Sequence, residues 1–218
     1  MTLPPDNADN ALLLGHALHT GIEQGMEAGV REYLMGFPII GDEQINEQMK
    51  LEYWIPRARA ELPEGEYEAP ILSSDFIGFI DLLAPVKMFH GEEAPNLFDL
   101  YDFKYTSSGK KYASSPQLHL YKYFYEKTHP GAKIRNLTYV IIPKVNVKRK
   151  KTESLEEFRA RIESELSNKE IEHLTVAYNP DKVVDFLLSV KGLLEAKDYP
   201  KEPQYLCSYC EYQDYCQK

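Results

Sequence analysis

Four short motifs hold the residues best suited to chemistry. They are Gly15-His16-Ala17-Leu18-His19, Gly78-Phe79-Ile80-Asp81, Asp102-Phe103-Lys104 and Gln117-Leu118-His119-Leu120-Tyr121. Asp81 closes an apolar, strand-like run, and Asp102 with Lys104 closes the next. Residues i and i+2 of a strand share a face, so Asp102 and Lys104 project together. If the two strands pair, Asp81 faces them, and two carboxylates and an ammonium converge at a sheet edge. That set suits hydrolysis of a phosphodiester. The carboxylates hold Mg2+ or Mn2+, which activates water and offsets the charge building on the phosphate and the leaving oxygen. The lysine orients or deprotonates the water, or neutralises the transition state. His19 adds an imidazole, which tilts the preference from Mg2+ toward Mn2+. Glu23, one turn beyond His19, reads as a solvated helix carboxylate, with a role near the metal as the alternative.

These residues need a scaffold, and the hydrophobic pattern outlines one. Leu14, Leu18, Ile22 and Met26 recur every fourth position, which predicts a helix from about Asn10 to Val30 capped by Asp9 or Asn10. A second helix is expected over Glu43–Ala60. The period then changes: Tyr67–Leu72, Phe76–Pro85 and Asn96–Lys104 read as consecutive antiparallel strands. A Gly-, Lys- and Ser-rich loop leads to a helix over Gln117–Lys127, on which Gln117 and Tyr121 share one face. A buried strand over Ile134–Pro143 follows. After it come a helix opened by Ser154 with Glu157 three residues on, a short strand over Glu172–Ala177 and a last helix over Asp181–Ala196. The order predicts an α/β fold with a mixed central sheet flanked by helices, occupying residues 1–200 as one domain, with a cysteine-bearing tail over 201–218.

Lys plus Arg number 25 and Asp plus Glu 34 in the 218 residues, a formal charge of −9, which argues against a module that only coats phosphate backbones. The concentrated positive strip is Lys144, Lys148, Arg149, Lys150 and Lys151, a candidate for tracking DNA phosphates, although such runs are usually solvated loops. No apolar run approaches a membrane span, and the N-terminus lacks the basic-then-apolar pattern of a secretory signal, so a cytoplasmic protein is expected.

The four motifs, in this order and on these elements, resemble the PD-(D/E)XK nuclease superfamily, in particular its RecB-like branch of lambda-type and small CRISPR-associated exonucleases. The likeness extends from Gly15 to Tyr121. It implies a restriction-endonuclease-like core and a divalent-metal-dependent DNA nuclease, exonuclease in type, serving repair, recombination or phage functions. By the same likeness Asp81, Asp102, the Phe103 carbonyl and His19 would hold Mg2+ or Mn2+. Lys104 would be the catalytic lysine, and Gln117 with Tyr121 would hold the DNA phosphate or the lysine. Two rivals stay open: a catalytically silent member that binds DNA or a partner protein, and a nuclease directed at RNA.

Cys207, Cys210 and Cys216, spaced C-x2-C-x5-C, are too few and too clustered for a disulfide framework. They resemble the last three ligands of iron-sulfur-bearing RecB-like nucleases, whose fourth cysteine precedes the first helix. This chain has no cysteine there. Either a longer native chain supplies the fourth ligand and holds the cluster, or the cluster has been lost; in this chain little or no iron-sulfur is expected. Zinc completed by another ligand, or three free thiols, are the alternatives.

Overall fold

In the computed structural model, which describes residues 7–88, 91–198, 207, 210 and 212–216, the chain enters its first helix at Asn10. The Asn10 side chain accepts from the Leu12 and Leu13 amides at 3.1 and 3.0 Å, supplying partners that the first helical turn lacks. The single helix expected to Val30 is two: α1 (Ala11–Gln24) and α2 (Met26–Met35). The break is Gly25, whose φ of 111° is open to glycine and strained for other residues. Leu14, Leu18 and Ile22 stay fully buried, whereas Met26, next on the same spacing, is 37% exposed. Past the break α2 folds back on α1. A Cβ on Gly29 would lie 2.4 Å from the Ala17 carbonyl oxygen and 2.7 Å from the Gly21 Cα, so the two helices meet backbone to backbone.

The remaining elements follow the expected order. They are α3 (Asp42–Glu61), β1 (Glu66–Leu72), β2 (Ile77–Lys87), β3 (Glu93–Thr106), a 3-10 turn (Lys110–Ser114), α4 (Gln117–Thr128), β4 (Lys133–Pro143), α5 (Leu155–Ser167), β5 (Glu172–Val176), α6 (Pro180–Glu195) and a short α7 (Gln213–Cys216). Ser154 caps α5 with Glu157 returning the bond, as the spacing predicts. The sheet order is β1-β2-β3-β4-β5. β3 and β4 are parallel, joined by the α4 crossover, and the other pairs are antiparallel.

Alternation along the strands fills both faces. Phe103, Val140 and Ile142 pack with α1, α3 and α5 around Leu18, Trp54, Ile55 and Ile162. Leu100, Tyr139 and Ile141 pack with α4 around Leu118 and Phe124. Asp102 and Lys104, in phase with Leu100, therefore fall on the α4 face. One position departs from the alternation. On β1, Tyr67 sits with the α1/α3 core and Ala69 with the α4 core; on β2, Leu82 sits with the first and Ile80 with the second. Residues two apart should share a face, so both strands roll over between these positions. The residues at the roll are Glu68, with φ 50°, and Asp81. In the register that pairs Tyr67 with Leu82 and Ala69 with Ile80, they stand opposite each other.

Among the described residues, no helix is long and apolar enough to cross a membrane. The close α1/α2 contact makes a clear stability prediction. Gly29→Val should lower the free energy of unfolding by about 2–3 kcal/mol, because the backbone it would strike cannot step aside. Gly15→Ala, in an open helical position with nothing within 4 Å, should instead raise it by up to about 1 kcal/mol.

Candidate metal centre in the fork of the sheet

The β2–β3 ladder runs from Lys87–Glu93, past a shift of register, through Pro85–Phe98 to Leu82–Tyr101 and stops. Beyond it β2 stays paired with β1 alone, through Ile80–Ala69 to Ile77–Leu72, while β3 stays paired with β4 through Thr106–Pro143. The sheet forks, and the motif residues line the fork. In an antiparallel pair a residue's N–H and C=O point toward the same neighbour, so the departure of β2 leaves both groups of Phe103 without a strand partner. Two side chains take them up. Asp81 Oδ2 accepts from the Phe103 amide at 2.6 Å, and the Phe103 carbonyl oxygen lies 3.1 Å from His19 Nε2. Since a carbonyl only accepts, Nε2 carries the proton in this state, and Nδ1 presents its lone pair. Nδ1 lies 3.7 Å from Asp81 Oδ1.

Deeper in the fork, the Asp102 side chain is 1% exposed and its Oδ2 is 2.6 Å from Lys104 Nζ. Its Oδ1 is buried with no hydrogen-bond partner. Lys104 Nζ stands over the rings of Tyr112 and Tyr139, 5.6 and 5.9 Å from their centroids. On α4, Gln117 Nε2 donates to the Tyr121 hydroxyl at 3.1 Å, so the phenol keeps its own proton to donate elsewhere. Tyr121 faces the same charges: burial pushes its ionisation up, Gln117 opposes, and the Asp102 and Asp81 carboxylates push it further up. Gly78 is what admits this ring. A Cβ there would come within 3.1 Å of Tyr121 Cε1 and 2.8 Å of Phe76 Cε1.

The electrostatics of the fork are those of a site built for a cation. Burial pushes the Asp81 carboxyl up to about 7, against the pull of the Phe103 amide. Burial and then the Asp81 charge push Asp102 up to about 7, against Lys104. Burial draws Lys104 down, but Asp102 and Asp81 outweigh it and raise it, so the lysine is an ammonium at neutral pH. Burial lowers His19, which keeps the imidazole neutral and able to ligate.

A divalent ion fits these residues on two observations. The unpartnered Asp102 Oδ1 is a buried acceptor that lacks a positive partner. The 3.7 Å between His19 Nδ1, the nitrogen left with a lone pair, and Asp81 Oδ1 also lies within the spacing of two ligands around one octahedral ion with bonds of about 2.1 Å.

The structure thus brings His19, Asp81, Asp102, Phe103, Lys104, Gln117 and Tyr121 to one region. It adds Glu68, which sequence reasoning missed: donor atoms of His19, Glu68 and Asp81 lie within 4.8 Å of one another, a group that does not include Asp102. An exposed glutamate on an edge strand carries no local mark. The signal lay in the strand register, which sets Glu68 across from Asp81. Glu23 is not in the group, and its carbonyl accepts from Arg59 at 3.0 Å. The basic strip starts at the end of β4, where the Lys144 amide donates to Thr106 O at 3.0 Å. Lys144 Nζ donates to Asp9 O, Arg149 Nε donates to Glu153 O, and Lys148, Arg149, Lys150 and Lys151 are exposed. Cys207 is half-buried, Cys210 and Cys216 are exposed, and all three lie outside the metal-donor group.

A mixed five-stranded sheet between helical layers, holding carboxylates and a lysine on adjacent strands, is the restriction-endonuclease-like fold. The chain belongs to the PD-(D/E)XK nuclease superfamily, whose family model matches residues 40–217, a span that takes in β1–β5 and the cysteine tail. α1 and His19 precede that span. No curated protein and no solved structure gives a match.

The buried pair predicts how stability follows pH. Both carboxyls titrate above their ordinary 3.8 when folded, so their contribution favours the fold below that value and is lost as pH rises through about 7. Asp81→Asn keeps an acceptor for the Phe103 amide while removing one charge. In chelator-treated protein it should raise unfolding stability by roughly 2 kcal/mol at pH 8 and leave it unchanged near pH 3. Denaturant titration at the two pH values checks this.

Proposed function

We propose that the protein is a divalent-metal-dependent DNA exonuclease. The observation that carries the reading is the Lys104 ammonium held at 2.6 Å on buried Asp102, on the strand beside Asp81. Asp81 and Asp102, with the Phe103 carbonyl and His19, would hold the ion, Mn2+ being favoured over Mg2+ by the imidazole. When bound, that ion supplies Lewis acidity to the phosphodiester and to the attacking water.

The protein's own groups do the rest. An ammonium kept charged by two carboxylates can only donate, so Lys104 acts by holding a phosphate oxygen or the water and by offsetting transition-state charge, not by removing a proton. Tyr121, its oxygen occupied by Gln117, donates its proton to a phosphate oxygen and fixes the strand above the fork. Lys144, Lys148, Arg149, Lys150 and Lys151 track the backbone beyond. The exonuclease assignment and a role in repair, recombination or phage DNA metabolism rest on the RecB-like motif order. In the tail, Cys207, Cys210 and Cys216 would form three corners of a metal or cluster site in a chain that supplies a fourth ligand.

End-labelled duplex DNA, single-stranded DNA and RNA of one sequence, incubated with Mn2+, Mg2+ or chelator, test the reading. Stepwise loss of nucleotides from DNA ends with Mn2+ and no loss from RNA is expected. Cleavage of RNA alone, or of nothing, overturns it. Lys104→Ala should lower DNA cleavage by about 10²–10³-fold with Mn2+ affinity retained; wild-type turnover would remove Lys104 from the mechanism. Replacing Lys148 and Arg149 together by Ala should weaken DNA binding for every sequence alike and flatten its salt dependence, as read by fluorescence anisotropy across a salt series.

A further inference from the structure

The Gly-, Lys- and Ser-rich loop after β3 closes in the 3-10 turn Lys110–Ser114. The turn is fixed at several points. The Tyr112 amide donates to Gly109 O at 2.9 Å, and the Ser115 amide donates to Tyr112 O at 3.0 Å. From α6, Lys182 Nζ donates to Ala113 O and to Ser115 O, each at 3.4 Å. A Cβ on Gly109 would come within 2.9 Å of Ile141 Cγ1, so the loop lies tight on β4. The Tyr112 ring is thereby held against Tyr139, with ring centroids 5.3 Å apart.

That ring seats two ammoniums. Lys104 Nζ is 5.6 Å and Lys111 Nζ 5.1 Å from its centroid, so the two lie no more than 10.7 Å apart, the sum of those distances. Their other partners differ. Lys104 is bound to buried Asp102. Lys111 is exposed, and among the described residues no carboxylate pairs with it. A carboxylate would cancel an ammonium's charge, whereas an aromatic face holds it through the ring quadrupole and leaves the charge and the three N–H donors for a ligand. Lys111 is therefore a seated cation without a counter-charge, on the same ring as the lysine of the fork. The ligand that suits both is an anion extended past Lys104. Phosphates of one DNA strand recur every ~3.4 Å along a duplex, so the span between the two ammoniums takes in about three of them.

We propose that Lys111, seated on Tyr112, is a substrate-binding residue that holds a phosphate of the cleaved strand within about three nucleotides of the scissile one. Tyr112 is its positioning residue. This rests on the metal-dependent nuclease reading and deepens it: the substrate is a polyanionic strand gripped at two phosphates, not an isolated phosphodiester.

Steady-state cleavage of single-stranded DNA with Mn2+ by the full chain tests this, with the fold of each variant checked by circular dichroism. Lys111→Ala should raise KM roughly five- to tenfold with kcat kept, in contrast to Lys104→Ala, whose loss is in kcat. Lys110→Ala removes the same charge one residue away and without the Tyr112 seat, and should change KM by less than about twofold. Tyr112→Leu should raise KM as Lys111→Ala does, and Tyr112→Phe should restore it. A neutral methylphosphonate, walked over the three linkages next to the scissile one, should at one of them raise the wild-type KM by the same factor and leave Lys111→Ala unaffected. An unchanged KM in Lys111→Ala, an equal rise in Lys110→Ala, or a methylphosphonate effect that adds to Lys111→Ala at every linkage overturns this role of Lys111 while the nuclease reading stands on wild-type cleavage. A wild type that cleaves no nucleic acid sinks that reading and this inference with it.

Discussion

The site depends on one hydrogen bond, from the Phe103 amide to Asp81 at 2.6 Å. Where β2 leaves β3, a buried amide would be left without a partner at a cost of about 1–3 kcal/mol. A carboxylate from the departing strand removes that cost. The same bond pins one Asp81 oxygen, which leaves the other to face His19. Phe103 is thus a clamp with two jaws: its N–H holds Asp81 from β2, and its C=O holds His19 from α1. Its side chain completes the arrangement, packing edge-on to the His19 ring at 5.5 Å within the α1/α3 core. Opening the sheet and assembling the site are one structural event.

The cost of that event is electrostatic. Burial raises both aspartates, and the Asp81 charge raises Asp102 further, while Lys104 offsets only part of the charge. Hydrophobic packing on both faces holds these groups together, since Leu82 and Phe103 below and Leu100 and Tyr139 above anchor the strands that carry them. The folded chain therefore stores an unsatisfied demand for positive charge at the fork. A divalent ion or a protonated carboxyl meets it, which couples metal affinity to pH and to stability.

What could be read from the sequence was whatever local spacing encodes. Asp102 and Lys104 share a face because strands alternate, Gln117 and Tyr121 meet because helices repeat, and the strand and helix order implies the mixed sheet. The failures came where geometry departs from a local period. Met26 continues the spacing of Leu14, Leu18 and Ile22, and only the φ of 111° at Gly25 shows that the helix ends first. Glu68 lies between Tyr67 and Ala69, which read as one face of a regular strand yet pack on opposite sides of the sheet. That rollover belongs to the β1–β2 pair, since Asp81 turns with Glu68, so no single-strand pattern could contain it. Gly78 is intermediate: its motif was visible, but its reason, space for the rings of Tyr121 and Phe76, is tertiary.

His19 shows how a residue outside the matched span becomes part of the site. The family model begins at residue 40, after both α1 and α2. α1 is nonetheless fixed relative to the fork, because Leu14, Ala17, Leu18 and Ile22 are fully buried and Gly29 of α2 locks against its backbone. Within that rigid frame the His19 ring has one satisfying orientation, the one that gives Nε2–H to the Phe103 carbonyl. Turning the ring over would leave a carbonyl at the fork unpaired. The need of a single backbone oxygen, created by the departure of β2, therefore aims the other imidazole nitrogen at Asp81. The fork thus fixes the orientation of the imidazole beside it.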